Sequence, residues 1–167
     1  MNKDFSLGTV EVALAPQERF EEYLQSRGKR TTQQRRYLVD LVFRHHDHFD
    51  ADDVLEMLSG EDEGRKIGRA TVYRTLNELV EAGLLRAMTL DGRSVYERDY
   101  GYPQHDHLHC QICNKLIEFH SAELQELRDA VAAEHKFRAS GHRLIIAGTC
   151  YECRTQRHRR KSPLDLI

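Results

Sequence analysis

Residues 68–98 read GRATVYRTLNELVEAGLLRAMTLDGRSVYER, and the fold turns on this stretch. In its first half Val72, Leu76, Leu79 and Val80 fall at i, i+4, i+7 and i+8, the spacing of one helix face. The opposite face carries Arg69, Tyr73, Arg74 and Asn77. Gly83 suits the position just past a helix end, with apolar Leu84 after it. In the second half two short strand-like runs flank Asp91-Gly92, a pair that favours a two-residue hairpin turn. The stretch is therefore a helix with a polar and aromatic outer face, followed by a β-hairpin.

Upstream lie three shorter helical patterns. The first spans 16–27, with Pro16 at its start, Phe20 and Leu24 on one face, and Gly28 to end it. The second lies in TTQQRRYLVDLVFRHH, where Thr31 and Gln34 have capping-box spacing and Leu38, Leu41 and Val42 form the apolar stripe. The third follows Asp50 as N-cap, with Val54, Leu55 and Leu58 inward. A polar loop, 60–66, leads into the fourth helix. Three helices, a fourth with an exposed face, then a hairpin is the order of a winged helix-turn-helix. Such a domain inserts one helix into the DNA major groove and lays the hairpin over the backbone.

Charge supports that reading locally and not globally. The net charge is −2, yet RGKRTTQQRR (27–36) and GRKIGRATVYR (64–74) contain no acid. These runs fall at the start of the second helix and around the fourth, where phosphates would lie. Many compensating acids sit apart, as in DHFDADDVLE (47–56). The chain has 167 residues, enough for one ordinary domain or two small ones, with 40% hydrophobic and 31% charged residues. No apolar run approaches the roughly 20 residues of a membrane span, and the N-terminus lacks a secretory pattern. A cytoplasmic protein with no membrane partner is expected.

Downstream of the hairpin, DYGYPQ (99–104) has linker character. Four cysteines follow, Cys110, Cys113, Cys150 and Cys153, as two C-x-x-C pairs. Four thiolates are the usual set for a closed tetrahedral zinc site. Small buried residues and a redox pair are the alternatives. The redox reading expects one pair at a helix N-terminus, whereas Cys110 falls in a strand-like run. HLHCQIC and KLIEF read as strands joined by a knuckle. SAELQELRDAVAAEH reads as a helix capped by Ser121, with Leu124, Leu127 and Val131 inward, and HRLIIAGTC (142–150) as a buried strand. A unit this small cannot rely on an apolar core alone. A four-cysteine zinc and a dimer interface would supply what is missing.

The expected organisation is α+β: a flexible tail over 1–15, a winged-helix DNA-binding domain over 16–98, a hinge over 99–104, a small α/β dimerisation domain over 105–153 and a charged tail over 154–167. Within HDHLHCQIC (105–113), His105, His107 and His109 alternate and can share one side of a strand. Two histidines at that spacing begin a metal site that also needs carboxylates. Glu97 at the hairpin end, Glu118 in the next strand and His48 ahead of the third helix are the candidates. A hydrolase or deaminase is disfavoured: four thiolates close a site against substrate, and the deaminase pattern with P-C-x-x-C is absent. A zinc-ribbon interaction module would leave the hairpin, the basic runs and the histidine cluster unexplained. Neither an enzyme nor a small-molecule substrate is expected.

GRATVYRTLNELVEAGLL, SVYE, HDHLHCQIC with KLIEF, and HRLIIAGTCYEC occur in one order, and in this the chain resembles the ferric uptake regulator (Fur) family across roughly residues 16–153. The resemblance implies a homodimeric, metal-responsive transcriptional regulator, mostly a repressor, that binds double-stranded operator DNA. It implies a structural Zn(II) on Cys110, Cys113, Cys150 and Cys153, and a regulatory site on His48, Glu97, His105, His107 and Glu118. A further site in some members falls on Gln104, Asp106, Gln125 and His142; with glutamine at two of these four, only Asp106 and His142 remain as good ligands, although Glu123 or Glu126 would be substitutes. DNA contacts fall on Arg30, Tyr73 and Arg74. Histidine and carboxylate ligands suit Fe(II), Mn(II) or Zn(II). Zinc-uptake sensors of this family tend to carry a sensing cysteine, and peroxide sensors tend to carry aspartate at the carboxylate positions. Here the cysteines are committed and both positions are glutamate, so the resemblance favours Fe(II) as regulatory ion, with Zn(II), Mn(II) or peroxide sensing behind it.

Overall fold

The computed structural model describes residues 5–8, 10–45, 47–60, 64–90 and 92–159. Asp91 of the expected turn, 61–63 of the polar loop, 160–167 of the expected C-terminal tail, and 1–4 and Thr9 of the N-terminal one lie outside the described residues. The chain divides into two compact units, Thr9–Tyr102 and Met1–Gly8 with Pro103–Ile167. No helix among the described residues is long and apolar enough to cross a membrane.

The N-terminal unit holds α1 (Pro16–Ser26), α2 (Gln33–Arg44), α3 (Ala51–Ser59), a 3-10 turn (Gly64–Lys66), α4 (Arg69–Glu81), and strands β1 (Leu85–Leu90) and β2 (Arg93–Arg98). The two strands pair antiparallel, with Leu85 opposite Arg98 and Leu90 opposite Arg93. Phe20, Leu24, Leu38, Val42, Val54, Val72, Leu76, Leu79, Leu84 and Leu85 are buried in one cluster. Each such side chain contributes on the order of 1.5–3 kcal/mol by leaving water, so this unit has an ordinary core. Gly83 takes φ +69° as α4 ends, and Gly64 packs so closely that a Cβ there would meet the Leu58 carbonyl oxygen at 2.5 Å. Two local expectations need correction. The cap of α2 is Thr32, whose hydroxyl accepts from Arg35 N at 3.3 Å, because α2 starts one residue later than the Thr31 spacing implies. Leu55 is only partly buried.

The C-terminal unit holds β3 (Asp106–Cys110), β4 (Leu116–Phe119), α5 (Ala122–Glu134), β5 (Ile145–Gly148) and α6 (Tyr151–Arg159). The sheet runs β4-β3-β5, antiparallel between β3 and β4 and parallel between β3 and β5. Its burial differs from expectation. No residue of α5 is buried, and Leu127 and Val131 are 60% and 49% exposed. β5 is also open, with Ile146 46% exposed. Among the described residues of this unit, Cys110 is the one buried hydrophobic; the other buried positions are His105, Asp106, His107, His109 and Ser121. An apolar stripe shows which side of a helix avoids water, not whether its cover lies in the same chain.

Both ends carry more order than a tail implies. Phe5 O accepts from His120 N at 3.0 Å and the Phe5 ring meets Phe119 edge-on, within the C-terminal unit. In the N-terminal unit Leu14 O accepts from Tyr100 Oη at 3.1 Å. Residues 154–159 continue α6 from Tyr151. That helix has no apolar stripe to announce it in the sequence.

Candidate metal centres and nucleic-acid interface

The cysteines come together through the sheet. Cys110 ends β3 and a tight knuckle follows, in which Cys110 N donates to Lys115 O and Asn114 N donates to Cys110 O, both at 2.9 Å. Asn114 sits there at φ +60°. The parallel pairing of β5 with β3 delivers Cys150 beside this knuckle, and the first turn of α6 brings Cys153. The four Sγ atoms lie within 4.8 Å of one another, with Cys113 and Cys150 at 3.8 Å. Tetrahedral sulfurs on zinc bonds of about 2.3 Å stand about 3.8 Å apart, so the residues fit the ion. Electrostatics agree. Backbone N–H groups of Cys150, Cys113 and Ile112 hold the Cys110 thiol down at about 6. Hydrogen bonding to Cys113 and then Cys150 pushes Cys153 up to about 12. One thiolate is stabilised by the backbone and another is opposed by its neighbours, a balance that a divalent cation reverses. The helix criterion set for a redox pair is met by Cys150-x-x-Cys153 at the start of α6 and not by Cys110-x-x-Cys113, and the convergence of all four sulfurs is a geometry that could hold a metal ion.

The histidine and glutamate candidates fall in both units. In the N-terminal unit an isolated bridge joins Phe49 to Tyr96, which sets the adjacent His48 opposite Glu97. His48 Nε2 and Glu97 Oε2 are 3.0 Å apart, and Glu97 is 4% exposed. Arg86, across the ladder from Glu97, brings its Nε to 3.9 Å from Glu97 Oε1. In the C-terminal unit His107 stands directly opposite Glu118 in the β3–β4 ladder. The rings of His105 and His107 meet edge-on at 4.8 Å. His105 Nδ1 lies 2.8 Å from Pro103 O. A carbonyl only accepts, so Nδ1 is the donor and Nε2 is the ring nitrogen left to face a metal. That Nε2 is 3.8 Å from Glu118 Oε1, too far for a hydrogen bond and close to the spacing of two ligands on one ion. His109 is buried on the His107 side of β3.

The further set around Asp106 and His142 is arranged differently. Asp106 Oδ2 lies 2.9 Å from His142 Nε2, and Asp106 Oδ1 accepts from Leu144 N at 2.8 Å. Gln104 Nε2 donates to His142 O at 2.9 Å. Asp106 and His142 Nε2 pair with each other while His142 Nδ1 is buried with no hydrogen-bond partner among the described residues, and glutamine amides do not replace carboxylates and imidazoles. The pair ties β3 to the segment before β5 and brings together only two of the donors a metal site needs.

On the outer side of the N-terminal unit Arg30, Tyr73 and Arg74 are exposed, Tyr73 to 41%. The basic runs are less uniform than the sequence implies. Lys29 and Arg35 both reach Glu78, at 2.8 and 2.9 Å, Arg36 reaches Glu21 at 2.9 Å, and Arg69 reaches Asp52 at 2.9 Å. Acids distant in sequence fold back onto these cations, and Arg30 and Arg74 remain exposed among them. The side chain of Arg65 lies outside the described residues.

A sequence model of the ferric uptake regulator family matches residues 26–147. The ferric uptake regulation protein of Neisseria gonorrhoeae is 36% identical over 135 residues, covering 80% of this chain and 92% of the relative. The structure of the ferric uptake regulator from Francisella tularensis with iron aligns with TM-score 0.66 at 32% identity, over 76% of this chain and 96% of that one. A zinc-bound manganese uptake regulator aligns with TM-score 0.58 at 35% identity, over 78% and 98%. The family match ends before Cys150, so the four-cysteine centre rests on its own geometry. With the winged helix, the exposed α4 face and the sheet-borne histidines in place, the chain belongs to the ferric uptake regulator family of metal-responsive transcriptional regulators.

Proposed function

We propose that the chain is a metal-dependent DNA-binding repressor of the cytoplasm, working as a homodimer, with Fe(II) as regulatory ion and iron-uptake genes as its targets. The observation that carries this reading is the donor set. His48 and Glu97 are held ready in the N-terminal unit, and His105, His107 and Glu118 in the C-terminal unit, all nitrogen or oxygen ligands. The thiols are gathered elsewhere, on a centre suited to structural Zn(II). A divalent ion supplies coordinate bonds that both groups of ligands satisfy only in one mutual arrangement. His48 and Glu97 thereby report occupancy to the unit that carries Tyr73 and Arg74. Shifting a two-state equilibrium strongly takes about 5 kcal/mol of differential binding, within reach of several coordinate bonds. On DNA, the Tyr73 ring suits thymine methyls, Arg74 suits phosphate or base edges, and Arg30 suits a phosphate or a narrow A·T minor groove.

Exposed Leu108, Ile117, Leu127, Val131 and Ile146 in a unit with so little core of its own support a second copy of the chain as their cover. Mn(II) is the second reading, favoured by the 35% identity to a manganese uptake regulator; Zn(II) and peroxide sensing rank below it. The test is operator binding under anaerobic conditions at buffered free Fe(II), Mn(II) and Zn(II). Tight zinc binding alone decides nothing, because zinc outranks the other two in intrinsic affinity. DNA binding that ignores all three ions overturns the reading.

A further inference from the structure

Glu78 is the acid that the periodicity of α4 least prepares for. It lies one turn after Arg74 on the same helix and is 3% exposed. Arg35 from α2 grips it with two of the three arms of its guanidinium: Nε to Oε2 at 3.0 Å and Nη2 to Oε1 at 2.9 Å. Lys29 Nζ adds a contact to Oε1 at 2.8 Å. The third arm of Arg35 points elsewhere, Nη1 donating to the carbonyl oxygen of Arg30 at 2.7 Å.

Arg30 lies between α1 and α2 in a segment with no regular structure, entered through Gly28 at φ +66°. The backbone of Lys29 is tied to α1, its N donating to Leu24 O at 2.8 Å, and two side-chain ties converge on one carboxylate: the Lys29 side chain is on Glu78, and the Arg30 carbonyl is on Arg35, itself on Glu78. We propose that Arg35, clamped by Glu78, is a positioning residue that holds Arg30 in register with Tyr73 and Arg74 on α4. The inference rests on the DNA-binding reading above. A two-armed grip on a carboxylate fixes direction as well as distance, and lysine cannot reproduce it. Arg35 then contributes to DNA affinity through the place it gives Arg30, without needing a phosphate of its own.

The test is a double-mutant cycle on the full-length protein. A duplex is selected from a random pool by the wild-type protein loaded with Mn(II), and its affinity is measured for wild type, Arg35→Lys, Arg30→Ala and the double variant. Arg35→Lys should weaken binding about tenfold, the size of one charge-assisted hydrogen bond. In the Arg30→Ala background the same change should cost less than about twofold. Glu78→Gln, which loosens the clamp and leaves the Arg35 side chain intact, should behave likewise and serves if Arg35→Lys fails to fold. Thermal unfolding and zinc content verify folding for each variant. Equal losses in both backgrounds mean that Arg35 acts on DNA by itself or through general stability, and overturn the proposal. A wild-type protein that selects no duplex overturns the DNA-binding reading itself, a different failure from additive losses.

Discussion

His48 Nε2 stands 3.0 Å from Glu97 Oε2 because the backbones of Phe49 and Tyr96, one residue away on each segment, exchange two hydrogen bonds of 3.1 and 2.7 Å. A loop ahead of a helix and the end of a hairpin strand are thus fastened together at the pair that would bind the metal. Arg86 flanks the same carboxylate. Glu97→Gln keeps a hydrogen-bonding partner for His48 and removes the anionic ligand. Its expected effect is a shift of metal-dependent DNA binding to at least about tenfold higher free metal, with unfolding temperature and zinc content unchanged. A fluorescence-anisotropy titration in metal buffers reads this directly; an unmoved midpoint removes Glu97 from the regulatory set.

The four-cysteine centre should matter for folding and not only for regulation. The C-terminal unit has so little buried apolar surface that a zinc held by the four thiolates would carry much of its folding free energy, as in other small metal-held domains. Cys110→Ser removes the thiolate that three backbone N–H groups stabilise. The expected outcome is loss of about one zinc per chain, with collapse of the C-terminal unit and of the dimer. Metal analysis with sedimentation velocity checks it, and a native, dimeric serine variant would exclude a structural role.

Which parts of this were legible beforehand follows from the kind of signal each residue gives. Val72, Leu76 and Leu79 repeat with helical period and are buried in the same chain, so α4 and the core it closes were readable. The cysteine spacing was readable because sulfur convergence needs only two knuckles and a parallel strand. Leu127 and Val131 show the same kind of period but remain exposed in the single chain. Glu78 was missed because a carboxylate on a helix reads as solvated until two cations from other segments close over it. Only its place beside two acid-free basic runs hinted at the pairing.

Leu127 and Ile146 supply the next measurement. If a second chain covers α5 and β5, placing a carboxylate at Leu127 must bury a charge against apolar surface or abolish contact. Leu127→Glu should convert the dimer to monomer at micromolar concentration and lower DNA affinity at least tenfold. The helical signal of the N-terminal unit should persist, because none of its core residues is touched. Sedimentation equilibrium gives the answer, and a dimer of unchanged strength would place the interface elsewhere.

Acid should weaken the clamp at Glu78 in a defined direction. Burial on its own raises the carboxyl, but hydrogen bonds from Lys29 and Arg35 outweigh it and leave Glu78 below the usual carboxylate range. A group depressed in the folded state binds fewer protons there than in the unfolded chain. Its stabilisation is therefore complete above the unfolded value, about 4.3, and fades as pH falls through the lower folded value. Other groups titrate in the same window, so the informative quantity is the difference between wild type and Glu78→Gln in the full-length protein. Near pH 6 the wild type should be the more stable by about 1.5–3 kcal/mol, the range for hydrogen bonds to charged groups. Towards pH 3 that gap should narrow to nothing, because protonated Glu78 and glutamine are then nearly equivalent. Urea unfolding at a series of pH values measures it, and a gap independent of pH would mean that the carboxylate charge is not what holds Lys29 and Arg35 in place.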